Sequence, residues 1–319
     1  MRPFDPFFKN PHLATIAGNF WKRPVSEARW PVEAKLYQTE PDVQVLVHTQ
    51  MPSGTPRGEV VLVHGLEGSS ESGYARSMAF GALQRGFAVH RFNMRGCGGT
   101  EALSLMSYHA GQTGDLLHVL RERRRVSGAP VFLVGYSLGA NVSLKLAGEL
   151  GEDAKGLLAG VVSVSAPIDL AACAEALKQP ANFVYQNRFL DRLKERIRRK
   201  NRLSPDVYTL EHLPKVKSIM DFDDYYTAKL FGFGTAANYF ATQSSNQFLE
   251  GVRVPTLAMI AKDDPMVPFR VYDHPAFARN SLLRLAAVEH GGHLGFIARS
   301  QPRFWLDENV LDWMEQQRP

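Results

Sequence analysis

The segment VFLVGYSLGANVSLKLAGEL (131–150) constrains this chain more than any other. An apolar run long enough for one buried strand, Val131–Tyr136, passes into Gly135-Tyr136-Ser137-Leu138-Gly139, and a helical pattern over Ala140–Leu150 follows without a linker. A strand that enters a helix so abruptly must turn where Cβ atoms would collide, and a glycine two residues to each side of the serine removes them. The G-x-S-x-G pattern in this setting lifts a serine hydroxyl above the carboxyl end of a sheet. The bare pattern is weak, since it arises by chance in about one chain in ten of this length. Its strand-turn-helix setting gives it weight.

Flanking segments repeat the alternation. Glu59–Gly65 (EVVLVHG) and Ala88–Met94 read as strands, Ala75–Gln84 and Asp115–Arg125 as helices, and Leu157–Val164 as a further strand. Continuous apolar strands alternating with helices imply a mostly parallel, doubly wound sheet. Before them, Glu33–Thr39 and Val43–Gln50 form an expected hairpin around Glu40-Pro41-Asp42. After Val164 the alternation stops, and resumes with Pro255–Ala261, Ser281–His290 and a closing helix over Arg303–Gln317. The expected organisation is a first core part at 1–170 with an aromatic, proline-rich N-terminal arm at 1–30. A helical cap follows at 171–251, and a second core part at 252–319.

A serine hydroxyl needs a base to take its proton and an acid to orient that base. Two strand ends offer them: AKDDPMVP supplies Asp263 and Asp264, and HGGHLGF supplies His290 and His293. Asp264 is the preferred acid, at the strand exit, with Asp263 as a turn or capping residue. His293 is the preferred base because Gly291 and Gly292 free its loop, whereas His290 still belongs to the strand. Zinc at His290-x-x-His293 lacks the helix and further ligands that such sites use. Two amides should cradle the oxyanion: that of Leu138, after the nucleophile, and that of Leu66 in His64-Gly65-Leu66-Glu67-Gly68. No glycine-rich nucleotide loop stands in the right context, so no cofactor and no metal are expected.

Eight cations face two acids in Arg188–Arg202, so of the chain's net charge of +5 the remainder carries −1. A positive face for nucleic acid is therefore not expected. Phe189, Leu190, Leu193 and Ile197 stripe the same segment, which reads as a helix packed on the core or as an amphipathic contact for anionic lipid or an acidic substrate. Cys97 and Cys173 lack disulfide or metal spacing and read as packed residues in a reducing compartment. No run approaches the roughly 20 apolar residues of a membrane span.

With these residues in view, the chain resembles the α/β-hydrolases, and within them the YheT-like branch of esterases. The narrower likeness rests on NPHLATI (10–16), VLVHGLEGSSESGYAR (61–76), FNMRGCGGT (92–100), YHAGQTGDL (108–116), GYSLGANV (135–142) and GGHLGF (291–296). It implies an α/β-hydrolase fold with a helical cap insertion, a Ser137, Asp264, His293 triad without metal, and a cytoplasmic enzyme acting on small or lipid-like carboxylic esters. A thioesterase or acyltransferase with the same triad, and a binding protein on a hydrolase scaffold, are the alternatives. Arg95 and His109 lie in the family-like stretches, each with a structural or a catalytic role open to it.

Overall fold

One eight-stranded sheet forms the centre of the fold in a computed structural model that describes residues 1–23, 25, 28–128 and 131–317. The strands are β1 (Glu33–Glu40), β2 (Val43–Gln50), β3 (Glu59–Val63), β4 (Ala88–Phe92), β5 (Val131–Tyr136), β6 (Gly160–Val164), β7 (Thr256–Ala261) and β8 (Leu283–Val288), in the order β1-β2-β4-β3-β5-β6-β7-β8. β1 and β2 pair antiparallel with each other, and β2 antiparallel with β4, while the pairs from β4 through β8 are parallel. Strands β3 to β7 are buried along their whole length. That burial explains their largely apolar sequence, because helices cover both faces, and His90 of β4, a polar exception, is partnered by Glu59 and Thr49.

Those helices are α1 (Pro11–Phe20), α2 (Gly73–Gln84), α3 (Gly114–Ser127), α4 (Leu138–Leu150), α5 (Leu170–Leu177), α6 (Phe183–Leu203), α7 (Ile219–Phe222), α8 (Ala228–Leu230), α9 (Ala236–Gln243), α10 (Ala276–Arg279) and α11 (Trp305–Gln316). Between β6 and β7 the described chain is helical, with α5 to α9 and a π-helical turn at Asp223–Thr227. Several ends differ from the sequence reading. β6 begins at Gly160 because residues 151–156 form a 3-10 turn that carries the chain to Leu157. The closing helix starts at Trp305, and α4 starts at Leu138, directly at the elbow.

The N-terminal arm contains a helix that the sequence reading did not mark. Asn10 caps α1, its side chain accepting from the amides of His12 and Leu13, and Pro11 stands at the first helical position, where its missing N–H costs nothing. Residues 24, 26 and 27 of the expected arm, and 318 and 319 of the second core part, lie outside the described residues.

Candidate active site

The turn after β5 holds Ser137 at φ 52° and ψ −120°, a left-handed conformation costly for any side chain. Its neighbours permit it: a Cβ on Gly135 would stand 2.5 Å from the Gly139 carbonyl oxygen, and one on Gly139 would stand 2.4 Å from that of His64. The hydroxyl is thereby presented at the carboxyl end of β5, where an open α/β sheet places its crevice.

The loops after β7 and β8 meet it there. His293 Nε2 lies 2.9 Å from Ser137 Oγ, and His293 Nδ1 lies 2.8 Å from Asp264 Oδ2. The other carboxylate oxygen of Asp264 accepts from the amides of Met266 and Val267 at 2.9 and 3.0 Å, and the side chain is fully buried. Asp263 takes a different part. Its Oδ2 pairs with His290 Nδ1 at 3.1 Å and its Oδ1 accepts from the Gly292 amide at 2.9 Å, so it fastens the loop that carries His293.

Helix α1 fastens the same loop from the far side. The His293 amide donates to Thr15 Oγ1 at 2.8 Å, and that hydroxyl donates to the Pro11 carbonyl. Gly292 has φ 56°, and a Cβ there would press to 2.4 Å from the Pro11 carbonyl oxygen, so only glycine admits so close a helix. Reading side chains for chemistry missed Thr15, although NPHLATI was among the family-like strings.

Leu66 and Leu138 flank the hydroxyl, and neither donates a backbone hydrogen bond among the described residues. The loop bearing Leu66 is held at every neighbouring position. Gly65 donates to Tyr74 Oη, Glu67 donates to Tyr108 Oη, and Gly68 donates to the Gly65 carbonyl. Beneath it, His64 donates from Nδ1 to the Gly65 carbonyl and accepts the Met94 amide at Nε2. Burial pulls the His64 pKa down from 6.5 to about 4.

Two cavities converge on Ser137 and His293. The inner one, about 100 Å³, runs beneath α6 and is walled by such residues as Leu170, Leu177, Leu193, Ile219 and Phe240. Asp223 also lines it, bonded to Thr227 Oγ1, and burial pushes its carboxyl up to about 7. The outer cavity, about 470 Å³, lies between α1 and the N-terminal half of α6.

Arg95 stands outside both cavities, tied to Asp115 and Glu40. His109 lines the inner one, its Nδ1 accepting the Gly111 amide, and burial lowers its pKa to about 4. Cys97 and Cys173 are both free and buried, Cys173 in the cavity wall. The cations of α6 do not form a single solvated face. Arg196 is buried against Glu67, and Lys200 is buried with its ammonium on the carbonyls of Glu101 and Ser104. No described helix is long and apolar enough to cross a membrane.

A family model described as alpha/beta hydrolase fold matches residues 59–300. The Escherichia coli (strain K12) protein named "Putative esterase YheT" is 33% identical over 313 residues, covering 96% of this chain and 91% of that one. A Saccharomyces cerevisiae protein named monoacylglycerol lipase is 29% identical over 268 residues, covering 80% of this chain and 58% of its own. The Pyrococcus furiosus esterase Pf2001 superposes with a TM-score of 0.60 at 15% identity, over 92% of this chain and 98% of that one, a likeness of fold.

Proposed function

The chain belongs to the α/β-hydrolase family, in its YheT-like branch, and on that premise we propose that it cleaves carboxylic esters through an acyl-enzyme on Ser137. The carrying observation is the single file of contacts from Ser137 Oγ through the His293 ring to the Asp264 carboxylate, at 2.9 and 2.8 Å. The Asp264 carboxylate accepts from Nδ1, which leaves Nε2 as the lone-pair nitrogen facing the hydroxyl.

In the proposed reaction Nε2 takes the hydroxyl proton as Oγ attacks the ester carbonyl. Asp264 steadies the imidazolium that forms, and the amides of Leu66 and Leu138 receive the charge on the carbonyl oxygen. His293 then returns the proton to the departing alcohol. Water, deprotonated by the same nitrogen, attacks the acyl carbon, and His293 restores the Ser137 hydroxyl as the acid leaves. The apolar inner cavity suits the acyl chain, leaving the outer cavity to the alcohol, so a lipid-like ester fits as well as a small one.

A fluorophosphonate probe tests the reading. It is expected to label wild-type protein at Ser137, with Ser137→Ala unlabelled and its hydrolysis of a chromogenic ester series reduced on the order of 10⁴-fold or more. A wild-type chain that neither labels nor turns over any ester in the series would overturn it.

A further inference from the structure

The face around the outer cavity is built the wrong way round for a helix meant only to meet water. On α1, small residues point inward: Ala14 and Thr15 are buried, and a Cβ on Gly18 would reach 2.7 Å from Gly295 Cα. The large apolar side chains point out, with Leu13 53%, Ile16 45% and Phe20 72% exposed. Their spacing of three and four residues sets them along one stripe. The start of α6 adds Phe183 at 62% and Val184 at 65%. The two helices form one surface, since His12 on α1 stacks on Tyr185 of α6 with its Nδ1 3.1 Å from the phenol oxygen. Ile16, Phe20 and Val184 line the outer cavity together with Ser137.

Cations rim this apolar ground. The Arg188 guanidinium lies 5.8 Å from the Phe20 ring centroid, Arg192 lines the same cavity, and Lys9 and Lys22 are exposed at the two ends of α1. Asp191 is the acid among them on this part of α6. Contiguous exposed apolar residues mark an interaction surface in a water-soluble fold. Cations at its border select what it meets. A second copy of the chain packed about a two-fold axis on this face would set one cationic rim against another.

We infer that this face docks on an anionic lipid surface and that the outer cavity draws its ester from that surface. The apolar stripe enters the headgroup boundary, the cations pair with lipid phosphates, and the cavity that Ser137 lines opens toward the acyl region. This moves the lipid contact from the basic C-terminal half of α6, where Arg196 and Lys200 are buried, to α1 and the start of α6. The delivery of substrate rests on the ester-hydrolase reading, whereas the docking does not.

Flotation of the full chain tests it, with vesicles of phosphatidylglycerol and phosphatidylcholine in equal parts against vesicles of phosphatidylcholine alone. Wild type and Ser137→Ala are both expected to float with the anionic vesicles. A Leu13→Ser, Phe183→Ser double variant is expected to lose binding about tenfold or more, from the apolar area withdrawn. Its hydrolysis of a dissolved short-chain ester should stay within about twofold of wild type, which also shows that it folds. Absence of wild-type flotation, or undiminished flotation of the double variant, would overturn the docking face. Equal flotation with neutral vesicles would overturn the anionic partner, and a dimer in solution abolished by the double variant would give the face to a second copy. Wild type that floats but neither takes the fluorophosphonate label nor turns over any ester in the series would sink the ester reading and spare the docking.

Discussion

Arg196 of α6 places Nη1 2.6 Å from Oε1 of Glu67, the residue that follows Leu66 in the proposed oxyanion loop. Glu67 is itself held at φ 53°, and its carbonyl accepts from Arg192 one turn earlier on the same helix. The Tyr108 ring lies 4.7 Å from the Arg196 guanidinium, and its hydroxyl donates to Glu67 Oε1. The Arg196 contact is an ion pair without hydrogen-bond alignment, since Nε and Nη1 are buried and unpartnered in that sense. One helix of the region over the site thus grips the loop expected to stabilise the transition state.

Removing one member of that pair strands the other in a dry setting. Arg196→Met is expected to lose about 3–5 kcal/mol of stability in a denaturant titration, the cost of a buried charge left alone. Adding Glu67→Gln should recover part of it, because no charge then remains. If the loop is shaped from α6, kcat should fall about tenfold or more in both proteins, with KM changed less. Recovery of kcat together with stability in the double variant would separate the pair from catalysis.

Asp263 and Asp264 are adjacent in sequence and opposite in consequence. Asp264→Asn leaves the geometry but spoils the tautomer that Nδ1 requires, and kcat is expected to drop on the order of 10⁴-fold. Asp263→Asn keeps an acceptor for the Gly292 amide and loses only the pairing with His290, so about tenfold or less is expected. Steady-state rates on one ester decide the assignment, and a reversed order would exchange the two roles.

Thr15→Val removes the hydroxyl that accepts the His293 amide while keeping its volume. The buried amide is left unsatisfied, which should cost about 1–3 kcal/mol. The larger effect is expected on catalysis. A loop free to shift misplaces the imidazole relative to Ser137, so kcat falls up to about tenfold while KM holds. A stability loss with an unaltered kcat would restrict Thr15 to holding the fold.

The sheet was legible because β3 to β7 are buried on both faces, and most such strands carry an apolar run, as EVVLV and TLAMIA do. Ser137, Asp264 and His293, the residues proposed as the triad, stand out in the sequence because each lies where a strand ends and its loop chemistry is local. What stayed hidden depends on pairing across the chain. Thr15 meets His293 across 278 positions, and Glu67 meets Arg196 across the length of the intervening core. Nothing in a run of charged residues such as RRKNR distinguishes the buried Lys200 from exposed neighbours, because burial there is decided by the carbonyls of Glu101 and Ser104. Helix α1 was legible in principle, since Leu13, Ile16 and Phe20 stand at helical spacing behind the Asn10-Pro11 cap, but the prolines and aromatic residues around it read as an irregular arm.

Protonation of the His64 ring is expected to weaken the fold in mild acid. It is buried, with Nδ1 donating to the Gly65 carbonyl and Nε2 accepting from Met94, an arrangement open only to the neutral ring. Burial holds its pKa at about 4 against the opposing pull of the Gly65 carbonyl and the Glu67 charge, whereas the unfolded chain protonates near 6.5. Its stabilising contribution is therefore complete above pH 6.5 and is lost as pH falls toward 4, by about 3 kcal/mol through proton linkage. His109, buried with the same direction and a value of about 4, adds a loss in the same window, and burial lowers His90 as well. Asp223, raised by burial from 3.8 to about 7, opposes them by gaining stability as pH falls through the same window, so the His64 contribution is read from the difference in acid slope between wild type and a His64 variant. His64→Gln, which keeps an acceptor for Met94 but does not titrate, should start less stable at pH 7 and lose less on acidification. An acid slope unchanged by that substitution would mean that protonation of His64 is not linked to unfolding, and would free the loop bearing Leu66 from this dependence.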